Sequence, residues 1–213
     1  MYYDSTSQLT DKQLLLVNAA AQCVGQWGYK DTSVDKITKA AGVAQGTFYL
    51  HYKSRQSILD EVLPFVGREM LSFIIKRTRH QVGFHSIEMA GFTAFFDYLD
   101  INPGFFRILN EAETLAPLGH QRHLQLTTSR YSLFIRNSIL RGDIYGYHVE
   151  EATTVAYMLQ AVRSYLYLGF VKRGPSHVLP KEVIMTYRKF LFFAFPNTIG
   201  ESNNESSRGT ITS

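Results

Sequence analysis

The chain has 213 residues, of which 45% are hydrophobic, and it carries a formal net charge of +4 with a pI near 9.1. This length suits one large domain or a small domain followed by a larger one, and the hydrophobic content is enough for a buried core. No apolar run reaches the roughly 18 residues that a membrane span needs, and the first residues lack a secretion signal. Because Cys23 is the only cysteine, an intrachain disulfide is excluded and a cytoplasmic location with no membrane partner is expected.

The first predicted helix begins near Thr10 or Asp11, since either side chain can accept a hydrogen bond from a free backbone N–H of the first turn. Leu16, Ala20 and Cys23 then recur at helical spacing and predict a buried face. The helix is expected to run to about Trp27 and to end at the glycine that follows.

Residues 32–55 predict two short helices separated by a tight corner. Ser33 is expected to cap the first helix, and Gly42 stands where a helix needs a left-handed residue, which glycine adopts at little cost. In the second helix Phe48 and Tyr52 lie four residues apart and are expected on the buried side, while the other side chains are rich in hydrogen-bonding groups. A short helix, a glycine turn and a polar second helix are typical of a helix-turn-helix, whose second helix enters the DNA major groove.

The same segment carries most of the excess charge. Residues 30–55 hold five cations and two anions, a net charge of +3 within about an eighth of the chain. A concentrated positive patch is what phosphate binding requires. A solvated basic helix face is the alternative if the motif is disregarded.

The run GVAQGTFYLHYKSRQSIL resembles the recognition-helix signature of TetR-type transcriptional regulators, and VNAAAQCVGQWGYKDTSVDKITKAAGV resembles the two helices that precede it in that family. The likeness covers residues 12–62. Ala44, Val24 and Arg55 depart from the usual serine, phenylalanine and lysine. The resemblance implies that Tyr49, His51 and Lys53 contact the DNA backbone. The full set expected at the DNA is Ser33, Gln45, Gly46, Thr47, Tyr49, His51, Tyr52, Lys53 and Arg55.

Beyond residue 55 the chain is helical in period without strand signals, so an all-α fold of about nine helices is predicted. Ser54 is expected to cap a connecting helix, which Pro64 should kink or deprive of a hydrogen bond. The expected domains are a helix-turn-helix domain at 1–55, a helical ligand-binding and dimerisation domain at 56–196, and a disordered tail at 197–213.

The last two predicted helices, at 150–173 and 180–195, are apolar on more than one side. Such helices lie at the centre of a core or are covered by a partner. A homodimer joined by a four-helix bundle is favoured, as the resemblance also implies, with monomer core packing as the alternative. The expected interface residues are Val155, Met158, Val162, Tyr165, Tyr187, Leu191 and Phe192.

The middle helices combine many aromatic residues with a few polar groups, the composition of a small-molecule cavity. Aromatic residues at helical spacing also form ordinary cores, and the sequence leaves that choice open. In the resembled family an effector binds among these helices. The candidate ligand-binding residues are Phe92, Phe96, Phe106, Glu111, Arg130, Phe134, Gln160 and Arg163.

No nucleophile motif, phosphate-binding glycine loop or metal-ligand spacing stands out, so neither an enzyme nor a cofactor is predicted. The predicted function is a sequence-specific DNA-binding regulator: a repressor released from an inverted-repeat operator by a small apolar or amphipathic effector. The alternative is an effector-independent DNA-binding dimer whose larger domain only dimerises. An effector that lowers operator affinity distinguishes the two.

Overall fold

The computed structural model describes residues 9–173 and 178–197, and within these ranges it contains nine α-helices and no strand. None of the described helices is both long enough and apolar enough to cross a membrane. The all-α prediction of about nine helices is confirmed. The helices are α1 (Asp11–Asp31), α2 (Val34–Ala41), α3 (Gln45–His51), α4 (Arg55–Thr78), α5 (Phe84–Ile101), α6 (Phe105–Leu115), α7 (Pro117–Leu140), α8 (Ala152–Leu166) and α9 (Lys181–Ala194).

The chain divides into two compact units. The first unit comprises Met1–Phe73 and Tyr98–Thr127, and the second comprises Ile74–Asp97 and Thr128–Ser213. Helices α4, α5 and α7 therefore each contribute residues to both units. The functional boundary expected after residue 55 stays a prediction.

Helix α1 begins with the predicted cap and contains a break near its end. Thr10 and Gln13 form a reciprocal capping box, which satisfies free N–H groups of the first turn. Gly28 leaves the helical region at φ 84° and ψ 167°, and one further turn follows to Asp31. The predicted end at Gly28 is therefore an interruption, after which the chain turns toward α2.

Helix α4 runs without interruption across Pro64, although a proline has no N–H to donate to the carbonyl four residues earlier. That carbonyl belongs to Asp60, and it accepts a hydrogen bond from Nη2 of Arg122 at 2.8 Å. The same guanidinium pairs with Glu61 at 2.8 Å. The predicted loss of a helix bond at Pro64 is thus offset by a side chain of α7.

At the start of α4, the hydroxyls of Ser54 and Ser57 each accept a hydrogen bond from the other residue's backbone N–H, as expected of a cap.

In the second unit the single helix expected at 150–173 is divided. A 3-10 turn at Val149–Glu151 precedes α8, and a π-helical turn at Tyr167–Val171 follows it. Gly174 and Pro175, which from the sequence are expected to end that helix, lie outside the described residues. So does the predicted disordered tail, apart from Asn197.

Candidate DNA-binding site

The turn between α2 and α3 has the geometry that the sequence predicts. The Ser33 hydroxyl accepts a hydrogen bond from the Lys36 N–H at 3.2 Å and caps α2. Gly42 adopts the left-handed conformation (φ 64°, ψ 35°), and its N–H donates to the carbonyls of α2. The N–H of Val43 donates to the Thr38 carbonyl at 3.0 Å. These bonds satisfy the last carbonyls of α2 and fix the corner from which α3 leaves.

The buried side of α3 consists of Phe48 and Tyr52, whose ring centroids lie 5.8 Å apart. The Tyr52 hydroxyl donates to the Gln13 carbonyl of α1 at 3.5 Å. Burial raises the pKa of Tyr52 to about 12, with a smaller contribution from Glu61. Tyr52 was expected both on the buried side and among the DNA contacts. Its side chain holds α3 against α1 instead of facing solvent.

The opposite side of α3 is open to solvent. Gln45, Gly46, Tyr49 and Lys53 are exposed, whereas Thr47 and His51 are half-buried. Leu50 is 83% exposed on the same short helix. Its exposure was not predicted, because the sequence alone does not distinguish an apolar residue two positions after Phe48 from a core residue. An exposed leucine here offers an apolar surface of the kind that contacts a thymine methyl group in the major groove.

Arg55 is turned inward. Its guanidinium donates to the carbonyl of Thr32, to that of Tyr29, and to that of Lys30 at 3.1 Å. These carbonyls lie at the end of α1, where a positive charge also complements the helix dipole. Arg55 therefore joins the start of α4 to the end of α1, and in this geometry it positions the motif.

The basic patch is smaller than its composition suggests. Lys36 lies over the Trp27 ring at 4.8 Å, and its Nζ donates to the Asp31 carbonyl at 2.8 Å. Lys39 pairs with Asp35 at 2.9 Å. Lys53, at the end of α3, makes no ion pair within the described ranges and is exposed. Its expected contact with a phosphate stays a prediction.

The residues predicted to line an effector cavity are divided between the two compact units. Phe106 and Glu111 belong to the first unit, and Glu111 accepts a hydrogen bond from the Tyr29 N–H. In the second unit Phe92 is fully buried, with its ring stacked on Tyr187 at 3.9 Å. Phe96 is also buried, 4.9 Å from the Phe92 ring. At these two positions the side chains are packed in the core, and their role in ligand binding stays a prediction.

The remaining candidates lie around a buried polar cluster, which consists of Glu88, Tyr131, Arg163 and Tyr187. Oε1 of Glu88 accepts from Arg163 at 2.6 Å and from Tyr187 at 2.7 Å, and Oε2 accepts from Tyr131 at 2.6 Å. Burial by itself lowers the pKa of Arg163, but the neighbouring Glu88 more than compensates and the net shift is upward. The Arg163 charge expected to meet an effector is thus already neutralised inside the protein.

The other three candidates are half-buried, and one of them contacts this cluster. Phe134 stacks on Phe84 at 5.7 Å and lies 6.1 Å from the Tyr131 ring. Gln160 donates to the Thr128 hydroxyl at 3.4 Å. Arg130 is the third.

The predicted dimer-interface residues fall into two groups. Val155, Tyr187 and Leu191 are buried within the chain itself, so they have no surface left for a second copy. Met158, Tyr165 and Phe192 are 62%, 77% and 62% exposed, and Val162 is half-buried. Other large apolar residues of α8, α9 and the π-helical turn are exposed as well: Tyr157, Phe170, Met185, Phe190 and Phe193.

Comparison with known proteins agrees with the geometry of α1 to α4. Residues 16–62 match the family described as bacterial regulatory proteins, tetR family. The chain is 40% identical over 75 residues to the fatty acid metabolism regulator protein of Bacillus subtilis, covering 35% of this chain and 37% of the relative. It is 35% identical over 60 residues to the HTH-type transcriptional repressor KstR2 of Rhodococcus jostii, covering 28% and 29%.

A solved structure extends the likeness to nearly the whole fold. The fatty acid degradation regulator FadR from Bacillus halodurans superposes with a TM-score of 0.71 at 18% identity, over 86% of this chain and 96% of that one. At this identity the likeness concerns the fold alone. The helix-turn-helix geometry, the family match over residues 16–62 and the shared fold agree: the chain carries a TetR-type helix-turn-helix segment, matched by the tetR family of bacterial regulatory proteins, within a fold that it shares with a solved regulator.

Proposed function

We propose that the protein is a homodimeric repressor that binds an inverted-repeat operator and is released by a small apolar or amphipathic effector. In this proposal residues 1–55 form the DNA-binding domain and 56–196 the ligand-binding and dimerisation domain. The observation that carries it is the two-sided character of α3. Phe48 and Tyr52 anchor the helix, while Gln45, Tyr49 and Lys53 remain open to solvent. Repression is supported by one relative, the transcriptional repressor KstR2 of Rhodococcus jostii.

The proposed roles on α3 separate affinity from specificity. Phosphate contacts position a protein on DNA, whereas base contacts specify the sequence. In this proposal Lys53 binds a phosphate, and Gln45 and Thr47, at the start of the helix, contact base edges. Lys53→Ala should weaken binding to all duplexes and reduce the salt dependence by about one unit of slope. Gln45→Ala and Thr47→Ala should change the ranking among operator variants.

The test uses duplexes selected from a random library with the full-length protein, followed by fluorescence anisotropy at several salt concentrations. Lys181→Ala, which removes an exposed lysine from α9, is the matched control and should leave affinity and salt slope unchanged. If Lys53→Ala changed sequence preference but left the salt slope intact, the assigned roles would be wrong.

Dimerisation is supported by the exposed apolar residues of α8 and α9, since contiguous exposed apolar surface marks an interaction site. A two-fold dimer meets successive major grooves when its recognition helices lie about 34–36 Å apart, so the selected operator should be an inverted repeat. Phe192→Glu should dissociate the dimer in sedimentation velocity, whereas Leu118→Glu, an equally exposed leucine of α7, should not. A stable monomer of the unmutated protein at micromolar concentration contradicts the proposal.

The second candidate is an effector-independent DNA-binding dimer whose larger domain only dimerises, and the packed rings of Phe92 and Tyr187 are consistent with such a domain. The thermodynamic linkage between effector binding and operator binding distinguishes the two candidate functions. An effector that weakens operator binding must itself bind more weakly, by the same factor, when operator is present. Typical coupling energies of about 1–3 kcal/mol correspond to a ~5- to 150-fold effect. Equal effector affinity with and without operator excludes release by that compound.

A further inference from the structure

The second unit contains a groove that is separate from the predicted cavity residues. It lies among the last turn of α4, one side of α5 and the side of α9 that faces α5, and its volume is about 570 Å³. This volume falls in the range of small-molecule sites, roughly 300–1,000 Å³. None of the eight residues expected to bind an effector lines it.

The groove combines an apolar floor with a charged rim. Met89 and Ala90 of α5 and Ile184 of α9 supply apolar surface between the helices. Arg77, at the end of α4, and Arg188, on α9, supply guanidinium groups from two different elements. Such a division suits a ligand with a hydrocarbon body and a polar end.

The charge of the rim favours an anion. Arg77 pairs with Asp97 at 3.3 Å, and the two side chains are 55% and 42% exposed. Exposed pairs of this kind contribute little stability, so a ligand can compete for the guanidinium. Arg188 is exposed and makes no ion pair with any described residue. With two guanidiniums and one carboxylate, the rim carries a net charge of +1.

The walls of the groove are held by buried contacts. Next to His85 and Met89 on α5, Glu88 accepts the hydrogen bond from Tyr187 at 2.7 Å. Tyr187 lies beside Arg188 on α9, and its ring stacks on Phe92 at 3.9 Å. His85 Nε2 is 3.3 Å from the Leu191 carbonyl. These contacts fix the separation of α5 and α9, and a preformed site reduces the ordering cost of binding.

We propose that this groove binds a small amphipathic anion, with a carboxylate or phosphate held between Arg77 and Arg188 and a hydrocarbon body lying on Met89 and Ile184. Arginine's planar fork matches both head groups, and charge-assisted bonds of this kind are stronger than neutral ones. The site is also the effector site of the regulator, and this second statement rests on the proposed function.

The test measures binding of four eight-carbon probes to the full-length protein by isothermal titration calorimetry: octanoate, octyl phosphate, octanol and octylammonium. The two anions are expected to bind at least ~10-fold more tightly than octanol or octylammonium, because charge-assisted bonds exceed neutral ones. The tighter of the two anions identifies the head group. Arg188→Gln should weaken anion binding about 10-fold, whereas Lys189→Gln, an adjacent exposed cation outside the groove, should not.

Three outcomes overturn the site: anion affinity unchanged in Arg188→Gln, octanol bound as tightly as octanoate, or no probe bound at millimolar concentration. Ala90→Trp, which fills the groove, should abolish binding while circular dichroism reports an unchanged helix content. Operator affinity is measured separately, first on the unliganded protein and then with saturating anion, so failure of DNA binding does not obscure the ligand result. Tight anion binding with unchanged operator affinity preserves the site and overturns its effector role.

Discussion

The carboxylate of Glu111 accepts a hydrogen bond from the backbone N–H of Tyr29 at 2.8 Å, although 82 residues separate them. The bond exists because Gly28 interrupts α1, so the N–H of the next residue has no helical acceptor. One turn earlier on α6, Arg107 donates to the Gln26 carbonyl at 2.5 Å, just before the interruption. Two side chains of α6 thus satisfy both sides of the break in α1.

We expect Glu111→Ala to lower the free energy of unfolding by about 1–3 kcal/mol, since it leaves the N–H of a buried residue without an acceptor. Urea denaturation measures the change. Glu113→Ala, an exposed glutamate on the same helix, should shift stability by no more than about 0.5 kcal/mol. Equal stability of the two variants would show that water replaces the carboxylate.

Glu88 and Arg163 should be strongly coupled. Their side chains are 1% and 12% exposed, and removing one member of a buried ion pair leaves the other charge uncompensated. Arg163→Ala should therefore cost about 3–5 kcal/mol in the free energy of unfolding. Arg136→Ala, an exposed arginine of α7, is the control and should be near neutral.

The double variant Glu88→Leu, Arg163→Met tests the coupling itself. Replacing both charges by apolar side chains of similar volume removes the burial cost together with the attraction. We expect it to be more stable in urea than Arg163→Ala alone. If the double variant instead lost the sum of the two single changes, the pair would not be coupled.

His123 should make stability depend on pH. Its ring is buried against Gly67 of α4 and faces Phe105 of α6 at 6.4 Å. Burial, and secondarily the nearby His120, lowers the pKa of His123 to about 4. The unfolded chain takes up this proton near pH 6.5, whereas the folded chain resists it until about pH 4.

The contribution of neutral His123 to the free energy of unfolding is therefore complete above pH 6.5. It decreases as the pH falls, by roughly 2.5 kcal/mol at pH 4.5. His123→Leu should remove this component, so the difference between wild-type and variant stability should be constant above pH 6.5 and change below it. Urea denaturation at four pH values between 7.5 and 4.5 provides the measurement. His80→Leu, at an exposed histidine, should leave the dependence of stability on pH unaltered. If the stability of His123→Leu changed with pH in parallel with that of the wild-type protein, the assignment would be wrong.

Helix α3 lacks a side-chain cap. Ala44 has the extended backbone of a cap residue (φ −71°, ψ 152°), close to that of Thr10, whose hydroxyl does accept a bond. Ala44→Ser should supply the missing acceptor and raise the free energy of unfolding by about 0.5–2 kcal/mol, whereas Ala44→Val, which offers no acceptor either, should not raise it. Urea denaturation compares the two variants. Equal free energies of unfolding would indicate that water satisfies the free N–H groups at the start of α3.

The sequence by itself determined the local architecture of the DNA-binding helices. The Ser33 cap, the left-handed Gly42 and the Ser54 cap were predicted correctly because each depends on hydrogen bonds within about five residues. The buried pair Phe48 and Tyr52 follows from helical period alone. Such signals need no knowledge of what the segment packs against.

Only the tertiary structure decided what each side chain does once its helix has neighbours. Arg55 is turned toward carbonyls more than 20 residues away, and Glu111 toward an N–H 82 residues away. Neither partner is visible in a local pattern. The same holds for the arginines of α4 and α9 that meet at one groove.

The apolar helices α8 and α9 illustrate the physical reason. Helical period predicts that a face is apolar, but it does not tell which of two apolar faces meets the rest of the chain. Val155, Tyr187 and Leu191 are buried against their own chain, whereas Met158, Tyr165 and Phe192 remain exposed. Whether a side chain is buried depends on which distant parts of the chain pack against it. The tertiary fold therefore determines which apolar face is core and which is exposed, and the sequence pattern does not.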